Sequence, residues 1–181
     1  APDLLAGFTL TYKDDSVSEF RERVETHVEA LNRAISGVPD EQIRLHGCWG
    51  NYQGPHHCDV ALEDVIPAFY EADVGGLVVE GANPRHQHEH RTFEEYPLPE
   101  GWRLIPGVID VKTNVVEHPE VVAERIERFA AAVGDPERIV AGADCGFETV
   151  VEGANAVHPD IAWKKLDALV EGAELASERL A

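Results

Sequence analysis

The 181-residue chain predicts an α/β fold built on a parallel sheet, and three observations carry that expectation. Strand-like stretches alternate with helix-patterned ones, as crossover helices between parallel strands require. Counting the weaker elements, a leading helix is followed by four strand–helix units. No internal repeat, low-complexity tract or interdomain linker divides residues 1–181. A closed (β/α)8 barrel usually needs about 200 residues or more, so four units correspond to half of one.

In order, Ala1 to Lys13 is apolar and irregular. Ser16 to Ser36 is the clearest helix. Ser16 and Glu19 form a capping box, and Val17, Phe20, Val24, Val28, Leu31 and Ile35 recur at steps of three and four. Gly37 and Pro39 stop it. The first strand is expected over Gln42 to His46. A loop from Trp49 to Asp59 leads into a helix over Val60 to Ala72, kinked or restarted by Pro67. Gly75 to Glu80 reads as a short buried strand ending in a carboxylate. Ala82 to Gly101 reads as a long polar loop rich in His and Pro, a type of segment that tends to carry function. A third strand, Arg103 to Val111, is interrupted at Pro106-Gly107. Pro119 opens a helix through Val121, Val122, Arg125, Ile126, Phe129 and Val133, closed by Gly134. Arg138 to Ala141 is the fourth strand, and Pro159 opens a last helix with Ile161, Leu166, Leu169, Val170 and Ala173 on its apolar face.

Composition narrows the function. Asp and Glu total 34 against 15 Lys and Arg, a formal charge of −19. Nucleic-acid binding needs a basic stripe, and none is present. No apolar run approaches the roughly 18 residues of a membrane span, and no signal peptide opens the chain. Three Cys give no disulfide framework, so a reducing cytoplasm is expected. Dispersed acidity with only four Lys (Lys13, Lys112, Lys164 and Lys165) fits either a halophile's surface or an ordinary acidic cytosolic enzyme.

The chemistry gathers at strand ends. His46 and Cys48 are two residues apart, so on an extended strand both side chains point to one side. The second strand ends in Glu80, and the fourth leads into Asp144-Cys145. In a parallel barrel these ends share one mouth. His46, Cys48, Glu80 and Cys145 together offer one nitrogen, two soft sulfurs and one oxygen, a zinc-type shell. Each also has a plainer reading: His46 as a satisfied core histidine, Glu80 as a cap or a partner of Arg85, a buried Cys as a small core residue. Cys58 reads as a core or loop thiol. His56, His57, His86, His88 and His90 are candidates for touching substrate or metal.

The motifs His46-Gly-Cys48-Trp-Gly-Asn51-Tyr, Glu80-Gly-Ala-Asn83-Pro84-Arg85-His86, Pro106-Gly-Val-Ile-Asp110 and Asp144-Cys145-Gly146-Phe147 resemble the catalytic C-terminal domain of cobalamin-independent methionine synthases. The likeness extends to their shorter relatives, which include epoxyalkane:coenzyme M transferase. The resemblance implies a TIM barrel whose zinc is held by the positions matching His46, Cys48, Glu80 and Cys145 and binds the substrate thiol. It covers the second half of that barrel. Ala1-Pro2-Asp3 resembles the residues just after strand four. The N-terminal half, with the family's thiol-substrate carboxylates, is therefore expected in a preceding segment or a second chain. Where methionine synthases carry a His assigned to protonate the folate leaving group, this sequence has Lys112.

The expected activity is zinc-dependent transfer of a methyl group, from a donor such as methyltetrahydrofolate, to homocysteine or a similar thiol. Alternatives are alkyl transfer from an epoxide to a coenzyme M-like thiol and a non-catalytic zinc-binding subunit. Zinc strips the proton from a thiol that is otherwise a poor nucleophile at neutral pH. A protonated leaving atom is then needed, with Lys112, His56 and His86 as candidate acids. Asn51 and Asp144 are expected to orient the ligands.

Overall fold

The computed structural model describes residues 5–147 and 157–181, so the reading of Ala1-Pro2-Asp3 lies outside the described residues. The elements alternate as expected: α1 (Ala6–Leu10), α2 (Val17–Ile35), β1 (Leu45–Gly47), α3 (Leu62–Phe69), β2 (Gly76–Val79), α4 (Thr92–Glu95), β3 (Arg103–Ile109), α5 (Pro119–Val133), β4 (Gly142–Ala143) and α6 (Pro159–Leu180). The strands form one parallel sheet in the order β1-β2-β3-β4. Each strand thus lies beside its successor in sequence. A doubly wound sheet would reverse that order at some point. An unbroken order is that of one side of a barrel.

Local chemistry sets the helix ends. Ser16 accepts from Glu19 N–H and the Glu19 carboxylate takes Ser16 N–H, so the capping box forms and stabilises α2 by about 1 kcal/mol. Both α5 and α6 begin with a His-Pro pair: His118 and His158 accept from the N–H two residues on, and the proline sits where no donor is needed. Gly134 closes α5 with φ +77, a left-handed cap that suits glycine. Pro67 lies inside α3, and the helix runs through it for eight residues.

Several boundaries differ from the sequence reading. Residues 6–10 form a helix where irregular chain was expected. Strand β1 starts three residues late because Asp40–Gln42 forms a 3-10 turn, and β4 lies beyond the expected Arg138–Ala141 because a second such turn occupies Pro136–Arg138. Only a bridge between Leu104 and Ile139 remains of that earlier pairing. Helix α3 is shorter than Val60 to Ala72. Strand β3 passes through Pro106 unbroken, its register shift falling between Gly107 and Ile109. The expected polar loop 82–101 contains α4 and a 3-10 turn at Glu89–Arg91, and it buries Asn83, His86, Glu89, Phe93 and Leu98.

The core has two parts. Phe20, Val24 and Val28 of α2 pack with α3 and with Leu45, Trp49 and Leu77, while Val122, Ala123 and Ile126 of α5 pack with Ala176 of α6 and with Val108 and Ile109. Gly172 makes the α5–α6 approach possible: a Cβ there would lie 2.4 Å from Val122 Cβ. Of the expected α6 face, Leu166, Leu169 and Ala173 do pack against this cluster as partly buried residues. The helix's buried residues are Lys165, Ala168, Gly172 and Ala176, and Val170 instead faces solvent. Lys165 is fully buried and paired with Glu117 at 2.8 Å, because an isolated ammonium there would be prohibitively costly. No helix among the described residues is long and apolar enough to cross a membrane.

Candidate metal centre

The C-terminal ends of β1, β2 and β4 bring four donors together. Cys48 follows β1 directly, Glu80 follows β2, and Cys145 lies two residues past β4. Cys48 Sγ and Cys145 Sγ are 3.0 Å apart, and Cys145 Sγ is 3.4 Å from His46 Nε2. Glu80 Oε1 lies 3.6 Å from Cys48 Sγ and 3.9 Å from Cys145 Sγ. A tetrahedral ion with metal–sulfur bonds of about 2.3 Å separates two sulfurs by about 3.8 Å and a sulfur from a nitrogen or oxygen by about 3.6 Å. The sulfur–nitrogen and sulfur–oxygen separations are close to that shell; to complete it the sulfurs would move apart and the Glu80 carboxylate would move toward His46. His46, Cys48 and Cys145 also stand among the groups whose donor atoms fall within 4.8 Å of one another.

The two thiols lie within hydrogen-bond reach of each other. The hydrogen bond from Cys145, and a weaker one involving His46, outweigh burial and bring Cys48 down to about 6. The same bond, burial and the nearby carboxylates hold Cys145 well above the usual thiol range. Cys48 is thus the thiol of the pair that ionises more readily, and the thiolate is the form that binds metal.

The carboxylate is fixed by its surroundings. Glu80 is fully buried. Its Oε1 accepts from Trp49 N–H at 3.1 Å, and Oε2 accepts from Asn83 Nδ2 at 2.7 Å and Lys112 Nζ at 2.8 Å. One oxygen thus faces the sulfurs while the other is held from behind. The partner of Glu80 is Lys112; Arg85 instead reaches His57 O. Burial opposes the charge on Lys112, but Glu80 more than offsets it and raises the ammonium's pKa. Asp110 shapes the turn that delivers Lys112, accepting its backbone N–H at 3.1 Å.

Asp144 positions Cys145. Its carboxylate accepts from Gly81, Ala82 and Asn83 N–H at 2.8, 2.8 and 3.0 Å, and from Asn83 Nδ2 at 3.0 Å. Burial, then the charge of Glu80, pushes its pKa up to about 6 against the pull of those donors. Gly107 leaves the room: a Cβ there would lie 2.1 Å from Asp144 Oδ1. Asn51 stands one step further out, donating to the carbonyl of Gly146.

His56 and His86 lie in a different cluster. His56 Nδ1 and His86 Nε2 meet Asp59 Oδ2 at 2.8 and 3.0 Å, and His86 Nδ1 meets Glu89 Oε2 at 3.1 Å. Trp49 stacks on the His86 ring at 3.8 Å and Tyr52 on the His56 ring at 4.5 Å. Burial works against a charged His86, but hydrogen bonds to Asp59 and Glu89 raise it to about 9. Burial likewise opposes the charge on Asp59, and the two imidazoles outweigh it, holding the carboxyl below its ordinary value. His57, His88 and Cys58 are exposed. Sequence reading missed Asn83, Asp59 and Glu89. The i,i+3 spacing of His56 with Asp59 and of His86 with Glu89 is the signal that points to the last two.

Comparison with known proteins shows the family. Residues 4–161 match the family described as cobalamin-independent synthase, catalytic domain. The chain is 30% identical over 179 residues to 2-hydroxypropyl-CoM lyase of Xanthobacter autotrophicus, covering 85% of this chain and 46% of the relative. It is 31% identical over 160 residues to methionine synthase of Thermococcus kodakarensis, covering 88% and 41%. A solved B12-independent methionine synthase of a Shewanella species, in complex with selenomethionine, superposes with a TM-score of 0.71 at 22% identity, over 91% of this chain and 47% of that one. The chain spans less than half the length of these proteins, and the superposition agrees with half of a TIM barrel. On the family match, the chain belongs to the catalytic-domain family of cobalamin-independent synthases.

Proposed function

We propose that this chain is the zinc-binding half of an enzyme that transfers a methyl or alkyl group to a thiol. The observation that carries the reading is the convergence of His46, Cys48, Glu80 and Cys145 within a few ångströms at neighbouring strand ends. Zinc held there would bind an incoming thiol as its thiolate. The residues of the chain set up that chemistry. Cys48 is the thiol that ionises more readily, Glu80 adds a third anionic donor, and the ligand charge keeps the substrate sulfur electron-rich. Lys112 balances part of that charge through Glu80 Oε2, and it is a candidate to meet the leaving atom with a proton. Asp144 and Asn51 fix the loop bearing Cys145.

The thiol is homocysteine or a coenzyme M-like molecule, and the donor is a methyl on a folate-type nitrogen or an epoxide carbon. The two relatives, at 30% and 31% identity, support each equally. Strands β1 and β4 each pair on one side only among the described residues. A complementary set of βα units, in the same polypeptide or a second chain, would close the mouth. Three free cysteines suit a reducing cytoplasm.

Metal analysis and X-ray absorption test the reading. The expected result is about one zinc at a site containing two sulfurs, one further sulfur on adding homocysteine or coenzyme M, and loss of this zinc in Cys48→Ala. A sulfur count that neither thiol changes would overturn it. Assay of the polypeptide with its completing half, offering methyltetrahydrofolate against an epoxide, separates the donors.

A further inference from the structure

We propose that His56, Asp59 and His86 form a second cation site, distinct from the cysteine site, that takes a divalent transition-metal ion of zinc's borderline softness. The three donors, His56 Nδ1, Asp59 Oδ2 and His86 Nε2, lie within 4.8 Å of one another. The two nitrogens are 2.8 and 3.0 Å from the carboxylate oxygen. Donors bound to one ion at about 2.0–2.1 Å stand about 2.9–3.4 Å apart, so small movements would seat it.

The outer nitrogens make the stronger argument. His86 Nδ1 faces the Glu89 carboxylate and His56 Nε2 faces the Tyr52 carbonyl at 3.0 Å. A metal-ligating histidine almost always donates its other N–H to such a carboxylate or backbone carbonyl. Both rings have that arrangement. Each inner nitrogen then turns either an extra proton or a lone pair toward Asp59. A divalent cation bound there would offset the charge of the two carboxylates, Asp59 and Glu89.

Two further observations point to a ligand. Asp59 Oδ1 is buried and has no hydrogen-bond partner among the described residues, an arrangement that costs about 1–3 kcal/mol unless something meets that oxygen. His56 adopts φ +51, a left-handed conformation for a residue with a side chain, and such strain persists where the surroundings hold a residue for a purpose. Glu89 is anchored in turn, its Oε1 accepting Leu62 N–H at 2.9 Å. An N,N,O donor set with open positions suits zinc, cobalt or nickel more than magnesium or calcium.

The test removes the first site and loads the second. The Cys48→Ser/Cys145→Ser chain is titrated with Co2+ and then Zn2+, read by metal content after gel filtration and by visible absorption. The expected result is about one ion per chain, with cobalt ligand-field bands but no thiolate charge-transfer band. Adding Asp59→Asn or His56→Gln abolishes binding, and Glu89→Gln weakens it about 10–100-fold. Adding His57→Ala, a substitution of the exposed neighbour, leaves it unchanged. Circular dichroism selects the variants that remain folded, and His56→Gln serves if Asp59→Asn does not fold. No retained metal in the folded double-cysteine variant, or binding that His56→Gln leaves intact, would overturn the proposal. Failure here leaves the cysteine site untouched, since that site is absent from every protein in the test.

Discussion

Two histidine-bearing clusters lie on either side of Trp49, and they are built differently. In the first, donors separated by up to 99 residues meet because parallel strands end together. Two of them, His46 and Cys145, remain half-exposed at the mouth. Its chemistry is one-signed: thiols and a carboxylate, with Lys112 as the counter-charge and a second buried carboxylate, Asp144, behind. In the second, each histidine sits three residues from a carboxylate, every member is buried, and imidazoles and carboxylates alternate. The first gathers sulfur and carboxylate donors at a partly open mouth. The second sets two imidazoles against two carboxylates, with Trp49 and Tyr52 stacked on the rings. An excess of acidic donors marks the proposed metal centre. Charge balance around His86 marks the second cluster.

The largest expected effect comes from breaking the first cluster at its buried carboxylate. Glu80→Ala leaves Lys112, Asn83 and Trp49 N–H without their acceptor. It should lower the stability of the metal-free chain by about 3–5 kcal/mol, measured by urea unfolding. A loss below about 1 kcal/mol would mean that Lys112 and Glu80 are not a working pair.

The second cluster should show itself through pH. His86 rises from 6.5 to about 9 on folding, so its protonated form is the one favoured by the fold. Its contribution is complete below about pH 6.5 and is lost as pH climbs through 9, amounting to about 3 kcal/mol. Urea midpoints of the metal-free chain should fall across that window, and His86→Gln should flatten the fall. A profile unchanged by His86→Gln would remove the charge-balance account of this cluster.

The smallest effect tests both clusters by leaving them alone. Ser16→Ala removes the α2 cap, should cost about 1 kcal/mol, and should leave metal content unaltered. A change in metal content would show that the strand ends depend on α2 more than the contacts indicate.

Much of the first cluster was legible in the sequence, and little of the second. His46 and Cys48 carry a two-residue spacing that only an extended strand turns into a pair, and Asp144-Cys145 follows a strand that was expected four residues too early, at Arg138–Ala141 rather than Gly142–Ala143. The capping box likewise marked the start of α2. Strand limits were less legible because β1 and β4 have only three and two residues, too few for a periodic pattern, and 3-10 turns occupy the expected lengths. Asp59 and Glu89 were lost among 34 acidic residues, where a carboxylate carries no signal by itself. His56 and His86 stood out by type, but the loop geometry that spends both nitrogens of each ring is not encoded in any short spacing. Lys112 was placed near the reacting centre, yet its grip on Glu80 depends on how β2 and β3 lie side by side.

The carboxylate of Asp144 has a mechanical consequence. Strand β4 is too short to hold its own position against β3, and the pairing between them slips at Gly107. Asp144, just beyond it and next to Cys145, is nonetheless moored through three successive amides to the chain leaving β2. A sideways drift of β4 would thus stop one residue before Cys145, and two of the four donors would travel as a single piece with the β2 exit even while the outermost strand breathes.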